Sequence, residues 1–342
     1  MKKVSFVAGK LFHGNLIFDE NQTKLVVGSF EKYYELYKDF KKNGYEIATD
    51  DIHKPDDSNV VLYFDMPKVL PKKENKQKSY LLAIESSIIR PENFDTNKHQ
   101  NFNKIFTWND ALVDSRKYIK LNYSFRLPDT IYKNVEREYL CCLIVSNKNS
   151  NFKNELYSKR KQLIRWFESN HPEDFHLYGI GWDEYRFVGP KIVRALNRVP
   201  YLKEIVHRLF VDKFSTYRGK VDSKFNTMRN YKFSIAYENV KDELGYITEK
   251  IFDVFISGCV PVYWGARNIT DYVPENCFID RRKFKTNEEM YKYLKVMPDA
   301  EYVKYLDNIE IYLNSELAQQ FSAENFAKTI VENCLGENKS VA

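Results

Sequence analysis

Nowhere does this sequence hold the roughly 18 consecutive apolar residues that a bilayer-spanning helix requires, so no transmembrane segment is expected. Cysteine is scarce: there are five in 342 residues, two of them adjacent at Cys141 and Cys142. They form neither a disulfide framework nor a CxxC metal pair, which points to a reducing compartment. The histidines build no metal site either. His171 and His176 are separated by "PEDF", and His13, His53, His99 and His207 stand alone. The opening "MKKVSFVAGKLFHGNLIF" carries two lysines, but a glycine and a histidine interrupt its apolar run. It reads as a first strand and not as a signal peptide.

A block of one charge is also missing. Lys and Arg number 53 against 47 Asp and Glu, a net charge of +6, and the densest basic runs, "KKENKQK" and "RRKFK", are short. A nucleic-acid binder concentrates such charge in one stripe, so nucleic acid is not expected as a partner. A mildly positive cleft for a phosphorylated small molecule fits the balance at least as well. Neither an internal repeat nor a low-complexity linker interrupts the chain. These absences together predict a cytoplasmic globular protein with at most peripheral contact to a membrane.

What is present is an ordinary apolar share of 43% and an excess of rings, 25 Tyr and 24 Phe. Amphipathic rings suit a polar, ring-binding cleft and a ring-rich core equally, and both readings stand. The length favours two domains. Strand-like runs ("KKVSFVAG", "NVVLYFDMP", "KSYLLAIESS", "FNKIFTWND") alternate with the helical "SFEKYYELYKDFKKNGYEI". After "FRLPDTIYKNVEREYL" the pattern restarts with "YLCCLIVSN", helical "SKRKQLIRWFES" and "DFHLYGIGWD". Strands alternating with helices give βαβ units and mostly parallel sheets. We therefore expect an α/β chain with a first α/β domain over 1–133, a second α/β domain over 134–320, and a C-terminal helix and tail over 321–342 that packs back on the protein.

One stretch, "ELGYITEKIFDVFISGCVPVYWGA" from Glu243 to Ala266, sets a polar loop before an apolar helix and a second strand. The preceding strand "KFSIAYEN" ends in Glu238 and Asn239. Thr248 is a reasonable N-cap, Glu249 and Lys250 fall in the first turn, and Gly258 suits the helix end. In open α/β sheets ligands bind beyond the carboxyl ends of strands, near helix N-termini. Glu249 can accept hydrogen bonds from a ribose diol, Lys250 can neutralise phosphate, and Tyr246 can offer a ring face or hydroxyl. The plainer alternative makes Glu249 a complement to the helix dipole, Lys250 solvated and Tyr246 a surface residue. Glu85 ends the strand "SYLLAI" and should point into an interdomain cleft, unless it merely bonds a neighbouring loop. His13, Trp108, Tyr63 and Asp65, also at strand ends, are weaker candidates to face a substrate from the first domain.

The segments "YEN", "GYITEK" and "GCVPVYWGA" at this spacing resemble the signature of the α-1,3-fucosyltransferases, glycosyltransferase family 10. The wider resemblance runs from about Tyr80 to Asp280. "LIVSNKNS…SKRKQLIRWFE" is similar to the opening of the family's second domain, with Ser146 in its Ser-Asn pair and Arg160 at the arginine that meets the donor's diphosphate. "LYGIGW" matches a glycine turn, and "LLAIESSIIRPENF" places Glu85 at the family's proposed general base. The resemblance implies a GT-B-like fold, two Rossmann-type α/β domains facing a central cleft. It implies inverting transfer of L-fucose from GDP-β-L-fucose to O3 of an N-acetylglucosamine or glucose unit in a lactosamine-type or lipopolysaccharide glycan. Donor-binding residues are then Ser146, Arg160, Asn239, Tyr246, Glu249 and Lys250. The partners are a GDP-sugar and a glycan acceptor, with oligomeric state left open. The chain lacks Asp-X-Asp, the usual metal–nucleotide handle of the other common sugar-transferase architecture. No cofactor or metal is therefore required, although added Mn²⁺ or Mg²⁺ could stimulate. Membrane anchors and heptad repeats found in some members are not evident, and the helix from Ser322 is expected to pack on the protein. A different GDP-6-deoxysugar donor, such as a 4-amino sugar, and a non-enzymatic glycan- or RNA-binding module are the alternatives.

Overall fold

Runs such as "VVLYF" and "VPVYW" are apolar almost throughout, as strands covered on both faces must be. In a computed structural model they form two parallel sheets; it describes residues 1–21, 30–72, 77–134, 136–184, 193, 195–199 and 213–336. The first sheet contains β1 (Lys2–Val7), β2 (Tyr45–Thr49), β3 (Val60–Phe64), β4 (Lys78–Ala83), β5 (Lys104–Thr107) and β6 (Tyr118–Lys120), in the order β2-β1-β3-β4-β5-β6. Its register aligns Val4 with both Ile47 and Val60. The second contains β7 (Tyr139–Ile144), β8 (Phe175–Tyr178), β9 (Tyr231–Tyr237), β10 (Val260–Trp264) and β11 (Ile279–Asp280), in the order β11-β10-β9-β7-β8. β7 therefore stands between β9 and β8, and the strand order reverses there, where an α/β sheet opens its ligand crevice.

Helix α1 (Glu31–Lys42) lies on the first sheet and buries Tyr33, Leu36 and Phe40. In the second lobe, α2 (Tyr157–Asn170) turns Leu163, Ile164 and Phe167 inward, with the Phe167 ring stacked 4.5 Å from Phe175. Helix α3 (Glu249–Ile256) joins β9 to β10, and α4 (Asn287–Val296) and α5 (Asp299–Leu313) complete that lobe. Gly258 follows α3 at φ 66, the left-handed turn a helix exit requires.

The last helix, α6 (Ala323–Leu335), leaves the second lobe and joins the first. Phe326, Ala327, Ile330, Val331 and Cys334 share one buried cluster with Phe6, Leu36 and Tyr80. The Tyr80 hydroxyl donates to the Cys334 carbonyl at 3.2 Å, and Lys104 Nζ to Asn333 Oδ1 at 3.1 Å. Full burial of a side chain such as Phe326 or Ile330 contributes about 1.5–3 kcal/mol, so the chain's end helps hold its beginning. Residues 337–342 of the tail and 73–76 of the lysine-rich run lie outside the described residues. Among the described residues no helix is long and apolar enough to cross a membrane.

Candidate active site

The carboxyl ends of β4, β5 and β9 meet at a seam between the lobes. Trp108, just past β5, packs its ring 4.8 Å from that of Tyr246, which in turn lies 6.1 Å from Tyr123. Trp108 Nε1 and the Tyr123 hydroxyl both donate to the Ile84 carbonyl, at 2.9 and 2.8 Å. The strand end that carries Glu85 is thereby held by two rings of the seam. Beside it, Asp110 accepts from Lys120 Nζ at 2.5 Å, Tyr272 Oη at 2.6 Å and Asn268 Nδ2 at 2.9 Å, which ties the first lobe to the second. Gly245 runs flush against the first lobe at φ 78, and a Cβ there would fall far inside contact distance of the Trp108 carbonyl.

This seam corrects two expectations. Trp108 is fully buried and cannot face an acceptor; its ring is taken up by Tyr246 and Phe94. Tyr246 is 1% exposed, so it is neither a surface residue nor a free ring face for a ligand. Asn239 Nδ2 donates to its hydroxyl at 3.4 Å.

On the second lobe the site grows from Glu238, at the end of β9, whose carboxylate has no solvent exposure. Oε1 accepts from the Thr248 backbone N–H at 2.8 Å, and Oε2 from the Thr248 hydroxyl at 2.6 Å. Thr248 has the extended backbone of an N-cap, but its hydroxyl serves Glu238 instead of capping the helix. Lys250 Nζ lies 3.1 Å from Glu238 Oε2 and 3.3 Å from Glu249 Oε1, and donates to Thr248 Oγ1 at 3.0 Å. Desolvation opposes the Lys250 charge, yet Glu238 and Glu249 outweigh it and hold the amine above its ordinary value. For Glu249, desolvation works in the opposite direction, and Lys250 followed by Lys224 brings its carboxyl down to about 2. Some 41% of the Glu249 side chain remains exposed.

Arg160, on α2, is buried beneath this strand end. Its Nη2 donates to the carbonyls of Tyr237 (2.6 Å) and Glu238 (2.8 Å) and approaches Asn239 Oδ1 at 3.3 Å, while Nε has no partner. One prong of the fork thus holds the β9 terminus. Ser146 is exposed just past β7, and the adjacent Asn147 donates to the Gly181 carbonyl at 2.9 Å. His13 stands in the first lobe with its Nε2 3.5 Å from Asp50 Oδ1.

Glu85 is half-buried. Burial first, then the like charges of Asp65 and Glu249, push its carboxyl above the usual range, against the pull of Lys250 and Lys148. A first-lobe acid therefore stands within electrostatic reach of the charged first turn of α3. Lys32 of α1 completes the group. It is 9% exposed, with its amine 5.9 Å from both the Tyr123 and Phe326 ring centres. Desolvation lowers its pKa to about 8 despite Glu249, Glu31 and Glu85. Neither Lys32 nor the role of Glu238 was expected from sequence: a lysine in an amphipathic helix reads as solvated, and Glu238 reads as one letter of a strand end. A separate concavity of about 560 Å³ is lined by Tyr237, Trp264, Lys241, Arg281 and Arg282, and by none of the expected site residues.

Chemically, the seam gathers a cation in the first turn of α3, a buried carboxylate that anchors it, and a first-lobe carboxylate whose proton affinity is raised. Residues 187–335 match the family model described as Glycosyltransferase family 10 (fucosyltransferase) C-term. The match begins at residue 187 and covers less than half of the chain. "YEN", "GYITEK" and "GCVPVYWGA" all fall within it, whereas Glu85, Ser146 and Arg160 precede it. The chain is 44% identical over 72 residues to an α-(1,4)-fucosyltransferase of Arabidopsis thaliana, an alignment covering 21% of this chain and 18% of that protein. It is 32% identical over 123 residues to the α-(1,3)-fucosyltransferase FucT of Helicobacter pylori, covering 33% of this chain and 25% of that one. With 4-galactosyl-N-acetylglucosaminide 3-α-L-fucosyltransferase 9 of Mus musculus it shares 27% over 184 residues, 52% of this chain and 39% of that one. The chain thus spans 39% or less of these curated relatives' length.

Solved structures resemble it over a wider span. An α1,3-fucosyltransferase crystallised with GDP superposes with a TM-score of 0.55 at 14% identity, covering 97% of this chain and 90% of that one. Anabaena Alr3699/HepE in complex with UDP and glucose gives 0.54 at 11% identity, covering 98% and 100%. At such identities the likeness shows the fold alone: a GT-B arrangement of two parallel-sheet α/β lobes.

Proposed function

We propose that this chain is an inverting fucosyltransferase that moves L-fucose from GDP-β-L-fucose to O3 of an N-acetylglucosamine or glucose unit in a glycan. The observation that carries this reading is the seam in which Trp108 and Tyr123 hold the Ile84 carbonyl and pack on Tyr246, which sets Glu85 beside the loop leading into Glu249 and Lys250. In this mechanism the acceptor hydroxyl attacks the anomeric carbon from the face opposite GDP. Its proton passes to the Glu85 carboxylate as the new C–O bond forms, which contributes on the order of a hundredfold to ten-thousandfold. The bond from the anomeric carbon to the diphosphate breaks, and its electron pair leaves with GDP. Lys250 and the Arg160 guanidinium meet the charge that develops there. Glu249, ionised and partly exposed, accepts hydrogen bonds from the ribose diol. Ser146 and Asn239 complete the donor side from the ends of β7 and β9.

Two fixed cations do here what a divalent metal does elsewhere, so transfer proceeds without one. The names of the relatives support fucose as the donor sugar, and they divide between α-(1,4) and α-(1,3) linkages. The test is release of free GDP from GDP-fucose with a lactosamine acceptor, run beside a panel of other GDP-sugars and after exhaustive EDTA treatment. Turnover of GDP-fucose that survives EDTA is the expected result. Turnover of only another GDP-6-deoxysugar, or none with any donor, overturns the reading.

A further inference from the structure

Asp65 follows β3 at φ 61, a left-handed conformation that non-glycine residues seldom adopt. It is buried at 6% exposure. A single oxygen, Oδ1, accepts three hydrogen bonds: from the backbone N–H of Ile84 (3.1 Å), that of Glu85 (3.1 Å) and the side-chain amide of Asn93 (2.7 Å). Asn93, 1% exposed, also donates to the Glu85 carbonyl at 3.2 Å and accepts from the Met66 N–H at 2.7 Å. Both backbone polar groups of Glu85 are thus held by one aspartate–asparagine clamp. Unusual backbone that persists because its surroundings over-determine it gathers at functional sites.

We propose that Asp65 is a positioning residue for the transfer step: with Asn93 it clamps the backbone of Glu85, and it sets a second carboxylate beside that of Glu85. The inference rests on Glu85 accepting the acceptor proton. The like charge of Asp65 adds to burial in raising Glu85; desolvation raises Asp65 as well, and three N–H donors with Arg90 pull against that rise. The other groups that face Glu85 are Lys32 and Tyr33 on α1, Tyr123, Lys148, Tyr157 on α2, and Glu249 and Lys250 on α3. Among these, Asp65 is the one that also holds the Glu85 backbone.

The experiment is the pH dependence of kcat/KM for the acceptor in the wild type, Asp65→Asn and Glu85→Gln. Asp65→Asn keeps the side-chain shape and removes the charge. Its acid limb is expected at lower pH, with turnover at neutral pH down by about tenfold because the base is weaker, while GDP affinity stays the same. Asn93→Ser loosens the same clamp and leaves the charge; it is expected to lower kcat with the acid limb in place, and it serves if Asp65→Asn does not fold. An unmoved acid limb in Asp65→Asn, or full kcat in Asn93→Ser, overturns the inference. If Glu85→Gln keeps its turnover, the base assignment falls and this inference with it. If Glu85→Gln is inactive and Asp65→Asn changes nothing, only the inference fails.

Discussion

Lys250 Nζ lies 3.1 Å from Oε2 of Glu238, a carboxylate with no exposure to solvent. The pair joins the end of β9 to the first turn of α3, and Thr248 donates to both oxygens of the carboxylate. A buried pair of this kind does little for net stability, but it fixes a cation at one place, and breaking it strands a charge. The position of the phosphate-neutralising amine therefore depends on a residue that no ligand needs to touch.

Replacing that residue tests the dependence. Glu238→Gln is expected to lower folding stability by about 3 kcal/mol and to weaken GDP binding tenfold or more as Lys250 turns towards Glu249. Denaturant unfolding together with titration calorimetry of GDP reads both effects. Unchanged GDP affinity would show that the Lys250 position does not depend on Glu238.

Glu85 should trade stability against activity. Its folded pKa is raised above the unfolded value, so the carboxyl favours folding at low pH and loses that contribution as pH rises through the folded value. At neutral pH, Glu85→Gln is expected to melt higher than the wild type while losing turnover and retaining GDP. The wild-type activity should fall as pH drops, with a limb above the ordinary glutamate range. A variant that is less stable at neutral pH and still binds GDP would count against a desolvated acid at this place.

Lys32 carries the opposite sign. Its pKa is lowered from 10.5 to about 8, so the folded state gives up stability as pH falls from the unfolded value through about 8. The difference corresponds to about 3 kcal/mol below pH 8. Lys32→Met is expected to be more stable than wild type at pH 7, with the advantage shrinking as pH approaches 10. Urea unfolding at pH 7 and pH 10 measures it, and an equal effect at both values would refute the sign.

Gly245 permits the close approach between the lobes. Gly245→Ala places a Cβ against the Trp108 carbonyl at a positive φ, and should cost about 2 kcal/mol or more. Because the loop holding Tyr246 would move off the first lobe, kcat is expected to fall further than GDP affinity. The difference in tryptophan emission between Gly245→Ala and the wild type, in which Trp108 is buried against Tyr246, reads the opening.

Much of this protein could be read in one dimension. The β9–α3–β10 unit follows from an apolar strand, a polar loop, an eight-residue apolar helix and Gly258, because strand periodicity and helix stops are encoded by near neighbours. The charged first turn at Glu249 and Lys250 and the strand-ending Glu85 could be read the same way. Only tertiary packing, within the first lobe and between the lobes, decided the rest. Trp108 and Tyr246 became a buried seam because each ring supplies the apolar surface the other lacks. Lys32 lost its water, and Asp65 acquired the Glu85 backbone, through partners distant in the chain. Whether a polar side chain is solvated, bonded or stranded depends on the surface opposite it, and short-range pattern carries no information about that surface.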